Sequence, residues 1–167
     1  MLFRSRVFDA LTTAAGFAAW WALAAGSAAE RGELRLTFAD TEDPAVLQVE
    51  QAKRSSTVTW TVRECSFLPD WVGTTPAFTL RPSGDGGCDV QLRREGLCSE
   101  LACYDMCGAG WDQYVPSLRD YIEIGTGNPF QDGDRTWPRP RAPAPAARGR
   151  GLRRLPGDAA QCERIAL

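Results

Sequence analysis

The sequence predicts a mainly β protein: a small, disulfide-stabilised antiparallel sandwich or barrel-like domain with one short helix and a disordered C-terminal tail. Three observations lead to this fold class. The N-terminal segment resembles a signal peptide, six cysteines follow it, and the body alternates apolar and polar residues over short runs. A chain of 167 residues is long enough for one domain with a modest core.

The first 29 residues predict a removable signal peptide. Two arginines give a positive start, an uncharged alanine-rich run covers 10–25, and small residues at 27–29 offer a cleavage site. The mature chain is then expected to begin near Glu30 and to be secreted or extracellular. The alternative is an uncleaved anchor, because the uncharged stretch continues to residue 29 and is then just long enough to span a bilayer. The domain would then be lumenal or extracellular and tethered to a membrane.

Charge divides the remainder of the chain into two parts. Residues 30–134 contain nine basic and eighteen acidic residues, a net charge of −9. Residues 135–167 contain eight arginines and two acids, a net charge of +6, and are rich in proline. We therefore predict an acidic β-rich disulfide domain over 30–134 and a basic Pro/Arg-rich tail over 135–167.

Alternation of apolar and polar residues predicts most of the strands. The strand candidates are 34–38, 57–63, 78–80, 88–92 and 121–124. Residues 46–49 are ambiguous between strand and helix. Only 99–106 is expected to be helical, with Ser99 as the N-cap and Gly108 ending the helix.

An even number of cysteines in a small exported chain predicts a disulfide framework. The cysteines are Cys65, Cys88, Cys98, Cys103, Cys107 and Cys162. Cys103 and Cys107 lie on one helix face, so we expect them to form disulfides with Cys65 and Cys88. Which of the two pairs with Cys65 and which with Cys88 stays open. The remaining two cysteines would then tie the C-terminal end to the domain. No metal or other cofactor is expected, because the spacing lacks the short pairs of zinc modules and the chain has no histidine.

The absence of histidine also excludes Ser-His-Asp and Cys-His catalysis. Aromatic residues in or beside loops are the better functional indication, since exposed aromatics anchor protein interfaces. The binding candidates are Trp71, Trp111, Tyr114 and Trp137.

The predicted function is a secreted protein-binding module without catalytic activity: an extracellular ligand, decoy or modulator. The expected partner is another extracellular protein, and the arginine-rich tail could also bind an acidic polysaccharide. Specific nucleic-acid binding is not expected, because no aromatic residue follows Trp137 for base stacking. Two alternatives remain open: an exported hydrolase that uses a carboxylate pair, and a precursor cleaved at the dibasic pair in 150–154.

Overall fold

A computed structural model of the chain describes residues 2–27, 31–38, 42–84, 86–130 and 161–166. The side chains of residues 2, 3 and 161–166 lie outside this description. Residues 135–160 of the predicted 135–167 tail fall outside the described residues, and so do its dibasic pair and Trp137. The polysaccharide partner assigned to this tail stays a prediction.

Helices and an antiparallel sheet make up the described fold. In chain order the elements are α1 (Leu2–Thr12), α2 (Ala14–Trp20), β1 (Leu23–Gly26), β2 (Glu33–Thr37), β3 (Ala45–Lys53), β4 (Thr57–Glu64), a 3-10 helix (Pro69–Trp71), β5 (Thr75–Pro82), β6 (Cys88–Glu95), α3 (Tyr104–Ile124) and β7 (Gln161–Ala166). Each strand from β1 to β6 pairs with the next strand in the sequence, and every pair is antiparallel. Strand β7 pairs antiparallel with the outer edge of β6. The fold is therefore mixed α/β, and the predicted mainly β sandwich or barrel is wrong.

Period-two alternation places one face of the sheet in the core, as the sequence predicts. In β4 the side chains of Val58, Trp60 and Val62 are fully buried, and the threonines between them are partly exposed. The same pattern occurs in β2, β5 and β6. The ambiguous segment 46–49 lies in β3, where two register shifts interrupt the pairing with β4.

The long helix α3 shows that two predictions of secondary structure are wrong. Residues 121–124, expected as a strand, form its last turn, and the helix predicted over 99–106 begins only at Tyr104. Gly125 ends α3 in the left-handed conformation, with φ of 84°, a conformation that glycine adopts without steric cost. The helix contains two glycines and Pro116, and these helix-disfavouring residues hide its helical pattern in the sequence.

The predicted signal peptide is wrong, because its residues form part of the hydrophobic core. Val7, Leu11, Phe17 and Trp20 are fully buried. The indole Nε1–H of Trp20 donates to the carbonyl of Ala10 at 2.9 Å, which joins α2 to α1. A removable leader and a core segment both need apolar, uncharged residues, so composition alone does not separate them. The secreted location inferred from the leader stays a prediction that the described residues do not test.

The predicted disulfide framework is also wrong for the cysteines whose side chains are described. Cys65, Cys88, Cys98, Cys103 and Cys107 are all free thiols. Four of them are buried and one is half-buried, so they pack as small apolar side chains. The side chain of Cys162, the proposed partner of Cys98, lies outside the description.

Among the helices of the described ranges, none combines the length and the hydropathy of a membrane-spanning segment.

The burial of α1 gives a direct stability prediction. Leu11→Ala removes a fully buried side chain, so we expect the free energy of unfolding to fall by about 2–5 kcal/mol. Leu23→Ala is the control, because the Leu23 side chain is 67% exposed and its loss leaves no cavity. Urea unfolding of the purified full chain measures both. Equal stability of the two variants would contradict the placement of α1 in the core.

Candidate functional site

A cavity lies between the N-terminal half of α3 and one end of the sheet. Its volume is about 30 Å³, and it is partly open to solvent. The lining residues are Trp21, Phe38, Phe67, Leu68, Trp71, Cys107, Gly110, Trp111 and Tyr114. Six of these nine residues are aromatic, so rings form most of the wall.

Helix α3 supplies one wall because four of its lining residues share a face. Cys107, Gly110, Trp111 and Tyr114 follow the i, i+3, i+4, i+7 spacing that places side chains on one side of a helix. Gly110 has no side chain to fill the space beside Trp111. The ring of Trp111 reaches the sheet, where its centroid lies 6.2 Å from that of Phe78 on β5.

The loop between β4 and β5 supplies a second wall and is fixed by hydrogen bonds. The amide of Trp71 donates to the carbonyl of Leu68 at 3.0 Å, and the hydroxyl of Thr74 donates to the carbonyl of Trp71 at 2.7 Å. The carboxylate of Asp70 accepts from the amide of Ala102 at 3.1 Å, just before α3 begins. The loop and the start of α3 are therefore held together, and the indole of Trp71 faces the cavity.

Trp21, at the end of α2, joins these walls. Its ring centroid lies 5.2 Å from Trp111, 6.1 Å from Trp71 and 6.3 Å from Tyr114. Its carbonyl accepts a hydrogen bond from the amide of Phe130 at 2.6 Å, which fixes the residue to the segment that follows α3. The N-terminal segment is thus part of the site.

The structure brings three of the four predicted binding residues together. Trp71, Trp111 and Tyr114 line the same cavity and are buried, so they are internal rather than an exposed interface. Trp137 lies outside the described residues. Sequence reasoning missed Trp21 because it fell in the supposed leader. It expected Phe38 to end a strand and gave it no role, whereas Phe38 lies directly after β2.

The cavity wall is apolar and carries no charged side chain. A charged ligand group would lose its hydration there without gaining a partner, which costs several kcal/mol. The hydrolase alternative needs two carboxyl groups facing each other in a pocket, and no acid lines this one. Within the described residues, no group of three or more histidine, cysteine, aspartate or glutamate side chains is placed to hold a metal ion.

Three buried thiols surround the start of α3. Burial raises the pKa of Cys65 from 9.0 to about 11, despite hydrogen bonds from the backbone at Leu68 and Phe67 that lower it. Burial is also the main reason that the pKa values of Cys103 and Cys107 are raised. In Cys107, the hydrogen bond to Cys103 adds to the increase. All three are therefore neutral thiols at neutral pH.

These raised pKa values predict lower stability in alkali. Below pH 9 both the folded and the unfolded chain keep the Cys65 proton, so the thiol has no effect. Between pH 9 and about 11 only the unfolded chain releases it, and the free energy of unfolding falls by up to about 1.4 kcal/mol per pH unit for each such thiol. Urea unfolding from pH 8 to 11 should show this decline, with a shallower slope in Cys65→Ala. Ser66→Ala, which removes no thiol, should keep the wild-type slope. An unchanged slope in Cys65→Ala would contradict the buried thiol.

Solved structures with the same fold include proteins from three bacteria. The Aha1 dimer from Colwellia psychrerythraea has a TM-score of 0.63 at 23% identity, over 74% of this chain and 90% of that one. Protein MLL2253 from Mesorhizobium loti has a TM-score of 0.62 at 18% identity, over 72% and 89%. Protein SSP2350 from Staphylococcus saprophyticus has a TM-score of 0.58 at 14% identity, over 75% and 87%. No curated protein matches the sequence.

A family profile described as Activator of Hsp90 ATPase homolog 1-like protein matches residues 3–123. The match begins inside the supposed leader and covers most of the chain, including α1, α2 and nearly all of α3. The predicted secreted protein-binding module is therefore wrong, and so is its alternative as an exported hydrolase. The dibasic pair of the processed-precursor alternative lies outside both the match and the described residues. The chain belongs to the Activator of Hsp90 ATPase homolog 1-like protein family.

Proposed function

We propose that the protein binds a small, uncharged aromatic molecule in the cavity between α3 and the sheet. The observation that supports this most directly is the wall of aromatic rings without a charged side chain. Offset and edge-to-face contacts between rings contribute about 0.5–1.5 kcal/mol each beyond the burial of apolar area. A planar ring system gains several such contacts here, and an aliphatic chain gains none of them.

The ligand enters through rings that have to move apart. A cavity of about 30 Å³ is small beside the ~300–1,000 Å³ of typical ligand pockets. Phe38 and Phe67 pack edge to face, with their centroids 5.4 Å apart, and Phe67 is only partly buried. Rotation of the Phe67 side chain outwards enlarges the cavity without disturbing the hydrogen bonds that fix Trp21 and Trp71.

Two naphthalene derivatives test the chemistry of the ligand. Neutral 2-naphthol should quench the fluorescence of the cavity tryptophans in a saturable titration. The carboxylate of 2-naphthoic acid should bind at least about tenfold more weakly, because its charge would be buried without a partner.

Two glycines of α3 offer matched variants. Gly110→Ala adds a methyl group to the cavity wall and should weaken 2-naphthol binding by about tenfold or more, which corresponds to about 1.4 kcal/mol. Gly108→Ala should leave binding unchanged, since a Cβ at Gly108 meets no atom within 4 Å. Alanine favours a helix over glycine by up to about 1 kcal/mol at either position, and thermal unfolding checks that both variants are folded.

Equal binding by the two glycine variants would contradict the proposed site. Stimulation of an Hsp90 ATPase by a sample that binds no naphthol would contradict the proposed function as a whole. It would favour instead the activity that the family description names.

A further inference from the structure

We propose that Cys103 and Cys107 form a dithiol site that chelates the arsenic of a trivalent aryl arsenical, with the aryl ring in the aromatic cavity. The placement of the ring rests on the proposed function, whereas the chelation by sulfur does not. The two thiols differ from the other described cysteines because they are in direct contact, with their sulfur atoms 3.1 Å apart.

The start of α3 holds the two sulfur atoms together. Cys103 immediately precedes the helix, and the amide of Cys107 donates to its carbonyl at 2.7 Å, closing the first turn. The side chains are 4% and 6% exposed, and the Cys107 thiol donates to the Cys103 sulfur. The pair is therefore ordered before any ligand binds, so little conformational entropy opposes chelation.

The two sulfurs are close enough for a single atom to bridge them. A disulfide needs a sulfur–sulfur bond of about 2.05 Å, so the atoms would have to approach by roughly 1 Å. A tetrahedral metal ion with bonds of about 2.3 Å separates two sulfurs by about 3.8 Å. Two bonds of similar length that meet near a right angle, as in pyramidal arsenic, separate them by about 3.2 Å. The sulfur–sulfur contact of 3.1 Å therefore places both thiols within reach of one pyramidal arsenic atom.

The exchange with an arsenical needs no charge in this apolar environment. The probe is an organoarsenic(III) dihydroxide, the hydrated form of an aryl arsine oxide. Two As–OH bonds and two S–H bonds break, two As–S bonds form, and the displaced groups leave as two water molecules. Arsenic stays trivalent and no electron is transferred, so no oxidant or reductant is required. A divalent cation would instead have to displace two protons from thiols whose pKa values burial has raised.

Cys107 connects the dithiol to the cavity. Its side chain lines the cavity on the same helical face as Gly110 and Trp111. A group bonded to arsenic therefore has the aromatic wall as its nearest neighbour. A phenyl substituent gains the ring contacts described above, whereas a hydroxyl group in the same position gains none of them.

Phenylarsine oxide and sodium arsenite test the proposal on the full chain, in buffer containing a phosphine reductant in place of a thiol. Intact-mass measurement should show one phenylarsenic group per chain, with the loss of two thiol hydrogens. Cys103→Ala and Cys107→Ala should each weaken phenylarsine oxide binding about 100-fold or more. With one thiol left, the second arsenic–sulfur bond, which forms at a high effective concentration in the wild type, is lost. Cys88→Ala, a fully buried cysteine on β6, should bind as the wild type does.

The outcomes separate the two parts of the proposal. Phenylarsine oxide should bind more tightly than arsenite, and bound phenylarsenic should prevent quenching by 2-naphthol. Wild-type affinity in both Cys103→Ala and Cys107→Ala, with far-UV circular dichroism showing that they are folded, would overturn the dithiol site. Chelation that leaves naphthol binding intact would overturn only the placement of the ring. Chelation without any naphthol binding by the free protein would refute the proposed function and leave the dithiol site standing.

Discussion

The packing of Trp20 and Trp21 between α3 and the sheet is the constraint on which the rest of the structure depends. The carbonyl of Trp20 accepts from the buried hydroxyl of Ser117 at 2.7 Å, and that hydroxyl accepts from the amide of Asn128 at 2.6 Å. A Cβ on Gly127 would lie 2.5 Å from the carbonyl of Ala19, so this close approach requires glycine. The N-terminal helices, α3 and the segment after it therefore form one packed unit.

The cavity is a consequence of this packing. Trp21 brings one ring to the tryptophans of α3 and of the β4–β5 loop, and Gly110 leaves the space between them unfilled. The face of α3 that carries Gly110 also places the thiol of Cys107 at the wall and in contact with Cys103. An apolar recess and a pair of neutral thiols thus share one helical face, and this arrangement favours ligands that bury rings and form neutral bonds.

Much of the sheet can be predicted from sequence, because alternation follows directly from a half-buried strand, as in β4. The helical parts cannot be predicted in the same way. An alanine-rich run with Trp20 and Trp21 has the composition of a leader, and only tertiary contacts show that it is core. Pro116 and the glycines of α3 conceal a helix that packing stabilises. Trp71 and Trp111 stand out as aromatic residues near loops, but nothing local to either residue shows that they meet across a cavity.

The central claim is that aromatic ligands bind inside a cavity whose wall includes the N-terminal segment. The most direct measurement is the set of nuclear Overhauser effects between 2-naphthol protons and tryptophan indole protons in the full chain. The structure predicts effects to Trp21, Trp71 and Trp111, which line the cavity, and none to the exposed side chain of Leu23. Effects to Leu23 or other exposed side chains, with none to Trp21, would contradict it.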